Sequence, residues 1–338
     1  NMALNSYVTK EGLEMGRAQV AQAEAAGLEP SVEMNPVLLK PTGNSCSQVI
    51  IDGRPLGNMS ARDYHTGYAL KAFDAVKAAL AKLEENYDTI VIEGAGSPAE
   101  VNLHDHDIVN MRVAKYAQAP VLLVADVDRG GSLAALVGTL ELLEPDERDL
   151  VRGLIVNRFR GDISLFDPAV AFLEQKTGKP VLGVIPYIED LGIDEEDSVS
   201  LEDKQSLPAA GDLQIAVIRL PKISNFTDFD SLAEEKDVSL YYVSDAGSLG
   251  QPDLIILPGS KNTTGDLQWL RQSGVAAAIK ERYRNGTPLI GICGGYQMLG
   301  TAIYDPLHTE TDCDAIEGLG LLPVETTFAA AKATYQVT

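Results

Sequence analysis

The chain has 338 residues, 45% hydrophobic and 22% charged, an ordinary globular composition with length for two domains that each bury a core. Forty-nine acidic residues against 27 basic ones leave a net charge of -22, which argues against a nucleic-acid partner because that partner needs basic patches. No apolar run approaches the ~20 residues that span a bilayer, none reads as a signal peptide, and the cysteines are too few for a disulfide framework, so a cytoplasmic protein with no membrane partner is expected.

In chain order, helical and strand-like segments alternate, the pattern of βαβ units and a parallel sheet. Residues 66–85 carry Tyr68, Phe73, Val76, Leu80 and Leu83 at helical spacing. The run 88–93 reads as a buried strand ending at Glu93. Asp107 is placed to cap a helix reaching Ala117, and 120–126 is a strand ending at Asp126. A helix over 132–143, a strand over 153–157, a helix over 166–177 and a strand over 181–185 follow. Residues 189–211 are acidic and Ser/Pro/Ala-rich with few apolar anchors. That is a linker composition; it puts a boundary near residue 210 and divides a first domain, 1–205, from a second, 206–338. Strand patterns resume at 214–218, 238–243 and 253–257, a helix is expected over 266–284, and 332–338 reads as a strand without a stop signal. With Asn1 in place of Met at the start, the chain reads as truncated at both ends.

The most informative stretch is Pro288-Leu-Ile-Gly-Ile-Cys293-Gly-Gly-Tyr-Gln297-Met-Leu-Gly300. An apolar run reaches a cysteine, two glycines follow, and a helical segment begins, which is how a nucleophile elbow reads. Gly291, Gly294 and Gly295 remove the β-carbons that would block a tight turn. A thiol at a helix N-terminus gains thiolate character from the macrodipole. A small buried cysteine among packing glycines fits the same letters. Gln297 and the upstream turn Leu254-Ile-Ile-Leu-Pro258-Gly259-Ser260 favour the reactive thiol.

Glu93, Asp126 and Asn157 each end a predicted strand, so all three can line one cleft beyond the carboxyl edge of a sheet. Two carboxylates there suit Mg²⁺. Polar residues also simply terminate strands, and both readings stand at this point.

Gly-Ile-Cys293-Gly-Gly-Tyr-Gln297 resembles the nucleophile motif of class I glutamine amidotransferases. The resemblance implies that Cys293 attacks the glutamine amide and that the backbone amides of Gly259 and Gly294 form the oxyanion hole. It also implies that Gln297 contacts bound glutamine. Pro258-Gly259-Ser260-Lys261 departs from the further glycine that many members carry after Pro-Gly. Val91-Ile-Glu93-Gly-Ala-Gly96, Ile155-Val-Asn157-Arg158 and Leu182-Gly-Val-Ile-Pro186-Tyr187 resemble, in order, dethiobiotin synthetase and its relatives, a P-loop family that activates a carboxylate with ATP. That implies Glu93 on Mg²⁺ and Asn157 and Pro186 at adenine. Asp126 and Asp128 carry over to the phosphate side only.

The fusion, together with Asn1-Met-Ala-Leu-Asn-Ser-Tyr-Val-Thr9, Glu14-Met-Gly-Arg17-Ala-Gln19, Asn35-Pro-Val-Leu-Leu-Lys40-Pro41 and Ser224-Asn225-Phe-Thr-Asp228-Phe-Asp230, is similar to the cobyric acid synthase family over the whole chain. The implied fold is α/β in two domains. One is a P-loop NTPase-like parallel sheet without its first strand and phosphate loop. The other is a flavodoxin-like glutaminase sheet without its C-terminal part. The implied reaction, in cobalamin biosynthesis, amidates the b, d, e and g carboxylates of adenosylcobyrinic acid a,c-diamide, with ATP, Mg²⁺ and glutamine-derived ammonia. A related a,c-diamide synthase, another glutamine-dependent amidoligase, or a non-catalytic scaffold keeping the folds are the alternatives. The G-x-x-x-x-G-K-[ST] loop is absent, and the activating histidine is expected beyond Thr338, so this piece alone is expected to be crippled. His308 lies too soon after the cysteine to serve.

Other polar residues have plainer readings. His104-Asp105-His106-Asp107 has metal-ligand letters, but histidines two apart do not share a helix face. Arg17 and Lys40 are the early cations best placed for a polycarboxylate, with a solvated surface as the default. Cys46 and Cys313 lack a glycine elbow and read as inert thiols.

Overall fold

The computed structural model describes residues 2–43, 46–128, 130–188, 213–310 and 313–329. The chain folds as two compact units: one joins residues 1–61 to 193–338, and the other is 62–192. The first unit is discontinuous in sequence, so the opening sixty residues pack with the chain from residue 193 onward. The linker read over 189–211, its boundary near 210, and the strand read over 332–338 lie outside the described residues.

The discontinuous unit centres on a four-stranded parallel sheet in the order Val238–Val243, Leu213–Ile218, Leu254–Leu257, Leu289–Gly291. Its strands are near-continuous apolar runs, as a parallel sheet covered on both faces requires. Ala216, Val217, Ile218, Ile255 and Leu257 are buried and pack with Leu267, Leu270, Ile279 and Met298. Trp269, the single tryptophan, lies against the same core. The helix expected over 266–284 is two helices, Thr263–Gln272 and Val275–Arg284. Gly274, at φ 80°, breaks it, because that left-handed turn is open to glycine and strained for other residues.

Residues 1–61 add an antiparallel sheet of Val37–Gly43, Cys46–Ile51 and Arg54–Ser60, and a short antiparallel pair, Ser6–Val8 with Glu14–Gly16. Lys40 is buried, its Nζ 2.6 Å from Glu14 and 2.8 Å from Ser6 Oγ. It therefore closes an internal ion pair rather than offering a surface cation.

The 62–192 unit holds a three-stranded parallel sheet, Val121–Asp126, Val151–Phe159 and Val181–Pro186, packed on helices Ser132–Leu142 and Asp167–Thr177. A long helix, Ala69–Asn86, follows a π-type turn at Tyr64–Tyr68. The strand read over 88–93 does not form. Val91 is 92% exposed, and no strand of the described residues pairs with that run. An apolar run becomes a strand only when a neighbour takes its backbone hydrogen bonds. Asn110 instead holds the following backbone, accepting from Ala95 N at 3.1 Å and donating to Ala95 O at 2.9 Å. Among the described residues no helix is long and apolar enough to cross a membrane.

Candidate active site

Adjacent parallel strands deliver their C-terminal loops to the same place, and here Leu254–Leu257 and Leu289–Gly291 deliver Gly259 and Cys293. Cys293 is exposed and sits at φ 50°, ψ -112°, immediately before the helix Gly294–Leu299. For a non-glycine residue that conformation costs on the order of 1–3 kcal/mol, which the surroundings must impose. They do so by close packing. A β-carbon on Gly295 would collide with the Leu257 carbonyl, and one on Gly291 would lie 2.8 Å from the Tyr296 backbone. Ile292 N donates to Leu257 O at 2.9 Å, and Gly295 N donates to Ile292 O at 2.8 Å.

A β-carbon on Gly259 would stand 3.7 Å from Cys293 Cβ, so the two loops touch at the thiol. One on Gly294 would lie 3.1 Å from both Ser260 N and Thr263 Oγ1. Gln297 is half-buried, and its Oε1 accepts from Thr263 Oγ1 at 3.4 Å. The structure thus gathers Cys293, Gly294, Gly259 and Gln297 on one small surface. His308 is occupied elsewhere, its Nε2 lying 3.0 Å from Asp314.

Two carboxylates that the sequence does not flag hold the loop 258–262 and the start of the helix that follows it. Asp266 is 2% exposed; it accepts from Ser260 Oγ at 2.6 Å and from Lys222 N at 3.1 Å. Burial pushes its carboxyl up to about 6, against these hydrogen bonds. Glu310 accepts from Thr264 N at 3.3 Å at the start of the Thr263–Gln272 helix, and burial pushes it up to about 7. An acid in a helix's first turn and a loop acid are usually solvated, so composition gives no sign of either.

In the 62–192 unit, Asp126 is the register partner of Asn157, and Pro186 that of Phe159, two residues further along. Asp126, Asn157 and Pro186 therefore stand together at the carboxyl edge of the sheet. A register shift between Val156 and Phe159 accompanies a left-handed Arg158 at φ 60°. Arg158 reaches Asp126 at 3.4 Å, Arg160 reaches Asp128 at 2.9 Å, and the Arg160 guanidinium lies 3.3 Å from the centre of the Tyr187 ring. A cleft of about 220 Å³ is bounded by Gly96, Ser97, Asp126, Gly130 and Ser132. Glu93 precedes its rim by three residues, in the irregular segment rather than at a strand end. Oxygen donors beside a glycine-rimmed cleft suit Mg²⁺ with phosphate, since that ion keeps much of its water and takes one or two carboxylates. His104 is paired with buried Glu147 at 3.0 Å. Among the described residues no cluster of three or more His, Cys, Asp and Glu is arranged to hold a metal.

Two protein families match parts of the chain: the CobB/CobQ-like glutamine amidotransferase domain over residues 214–338, and an AAA domain over residues 58–194. The chain is 62% identical over all 338 residues to the cobyric acid synthase of Moorella thermoacetica, covering 65% of that protein. It is 61% identical over 332 residues to that of Pelotomaculum thermopropionicum, covering 98% of this chain and 63% of the relative. A cobyric acid synthase of Dehalococcoides mccartyi is 54% identical over 337 residues, with 100% of this chain and 67% of the relative covered. The chain spans about two thirds of the length of the curated relatives it matches.

Proposed function

The chain belongs to the cobyric acid synthase family, and from that membership we propose that it serves ATP-dependent amidation of corrinoid carboxylates with ammonia from glutamine. The proposed substrate is adenosylcobyrinic acid a,c-diamide, amidated at b, d, e and g. One observation carries the glutamine half: a strained, exposed Cys293 against the Gly259 turn. The thiolate attacks the glutamine side-chain carbonyl carbon, and the amides of Gly259 and Gly294 receive the negative oxygen. Collapse expels the amide nitrogen as ammonia, which takes up the proton the thiol gave up, and leaves a glutamyl thioester, which water hydrolyses to glutamate and the free thiol. Backbone donors are typically a large term in such a step because they are fixed before charge develops. Gln297 orients the bound glutamine.

The AAA-domain match and the acid-lined cleft support ATP as the second substrate. In this reading Asp126 and Asp128 face the phosphates, Asn157 and Pro186 the adenine, and Glu93 the Mg²⁺. Bound MgATP supplies the phosphoryl group that activates the corrinoid carboxylate. Ammonia then displaces phosphate from the activated carboxyl. We assign 1–205 to the amidoligase portion and 206–338 to the glutaminase portion, with each family match inside its own portion, while residues 1–61 pack in the same compact unit as the glutaminase sheet.

The test is an incubation of the protein, with whatever flanking sequence its gene encodes, with ATP, Mg²⁺, glutamine and adenosylcobyrinic acid a,c-diamide. Product mass should change stepwise, once per carboxyl-to-amide conversion, and only with Cys293 intact. Unchanged mass with ATP and glutamine both intact refutes the corrinoid assignment.

A further inference from the structure

The loop 258–262, which carries Gly259, is gripped from two sides, on one through segment 222–225 and on the other directly by residues of the first sixty. On one side, segment 222–225 runs alongside it: Lys261 N donates to Lys222 O at 2.9 Å, and Ser224 N donates to Gly259 O at 3.0 Å. Ser224 also packs on Gly259, its Oγ 3.1 Å from where a β-carbon would stand. The next residue, Asn225, adopts φ 52°, left-handed for a non-glycine residue. Asn5 and Ser6 hold it there. Asn225 N donates to Asn5 Oδ1 at 2.6 Å, and Ser6 N donates to Asn225 Oδ1 at 3.2 Å. Asn5 is 1% exposed, and its Nδ2 has no hydrogen-bond partner among the described residues. A buried amide with one end unpaired is costly, so its carbonyl end, the end that meets Asn225, is the informative one.

On the other side, Lys261 Nζ donates to Gln48 Oε1 at 2.9 Å, and Asn262 Nδ2 donates to Thr42 O at 3.0 Å. The same Asn262 caps the following helix through its Oδ1, which accepts from Gly265 N at 2.8 Å. One side chain therefore ties the loop, the helix start and the N-terminal sheet together.

We propose that residues 1–61 form a clasp that sets the oxyanion loop, with Asn5, Gln48 and Asn225 as positioning residues for the Gly259 amide. The inference rests on the glutaminase reading above. Its physical basis is that an oxyanion donor acts only within a few tenths of an ångström of its place, and a loop is held that closely only by what anchors it. The family match for the glutaminase domain begins at residue 214, so the clasp lies outside the domain it serves.

The test uses glutamate γ-semialdehyde and iodoacetamide on the same protein. Cys293 sulfur adds to the aldehyde carbon, the thiol proton passing to the carbonyl oxygen, and that oxygen occupies the oxyanion position. Iodoacetamide alkylates the thiol with loss of iodide and needs no oxyanion hole. Gln48→Ala with Asn225→Gly should weaken semialdehyde binding about tenfold while leaving the alkylation rate unchanged. Glycine keeps the left-handed turn and removes only the side-chain bonds. Asn225→Asp, which keeps the acceptor for Ser6 N, should restore most of the loss. Unaltered semialdehyde affinity in the folded double variant overturns the clasp, and so does a parallel fall in alkylation. Should the double variant not fold, Gln48→Ala alone carries the same comparison. A wild-type protein that alkylates at Cys293 yet ignores the semialdehyde refutes the glutaminase reading instead.

Discussion

Both parallel sheets end in loops that bear candidate site residues, yet the two edges are held by different means. Beyond Leu254–Leu257 the loop is fixed by buried Asp266, by backbone bonds to 222–224, and by side chains from the first sixty residues. Beyond Val121–Asp126, the acids are held by arginines that are about half exposed, and Leu122, Val124 and Leu182 on that sheet are half exposed too. Buried, multiply bonded groups are preorganised; exposed ion pairs are screened and exchange partners at little cost. The first edge is therefore held rigidly, and the second more loosely.

The sharpest way to break this comparison is at the thiol. Cys293→Ala should abolish glutamine-dependent amidation, by more than about a thousandfold, while amidation with added ammonia continues. Equal loss of both would show that the elbow supports the whole protein rather than one half-reaction. Gly295→Ala comes next. Its methyl must displace the Leu257 carbonyl, and the expected cost is roughly 3 kcal/mol in denaturant unfolding followed by Trp269 fluorescence.

Asp266 separates the two edges through pH. Its carboxyl is raised to about 6 from a usual 3.8, and that of Glu310 to about 7 from 4.5, so the folded state binds these protons more tightly than the unfolded chain. Their contribution to stability is complete below about 4 and is lost as pH rises through 6 to 7. Asp266→Asn should remove the lower part of that slope, seen as a variant whose unfolding midpoint gains on the wild type between pH 4 and 6. A constant offset across that range would refute the burial account. The smallest effect is expected at the exposed edge. Arg160→Ala should leave the melting temperature unchanged and raise the KM for ATP. A lowered melting temperature would mean that this edge is as rigid as the other.

Much of this architecture is legible in the sequence, for identifiable reasons. Strands such as 121–126, 213–218 and 254–257 are apolar runs between turn residues, and the glycines around Cys293 announce a tight elbow. The run 88–93 has the same letters but pairs with no strand among the described residues, and pairing is invisible to a local reading. The helix break at Gly274 is a single residue inside an otherwise unbroken periodic pattern. Asp266 and Glu310 are single acids whose burial depends on the tertiary fold. The contacts of Asn5 with Asn225 span 220 positions, and no spacing rule reaches that far.

That separation has a consequence for how the chain is made. At roughly 5–20 residues per second, a ribosome takes about ten to forty seconds to pass from Asn5 to Asn225, a gap of 220 positions. For most of that interval Asn5, Thr42 and Gln48 lack the residues they bond in the folded chain, while residues 62–192, a compact unit of their own, are being made. The contacts of Asn5 with Asn225 and of Gln48 with Lys261 therefore form only after the middle of the chain has been made. The early segment, whose Ala3, Leu38 and Ile50 form a small core of their own, must keep its place through that wait.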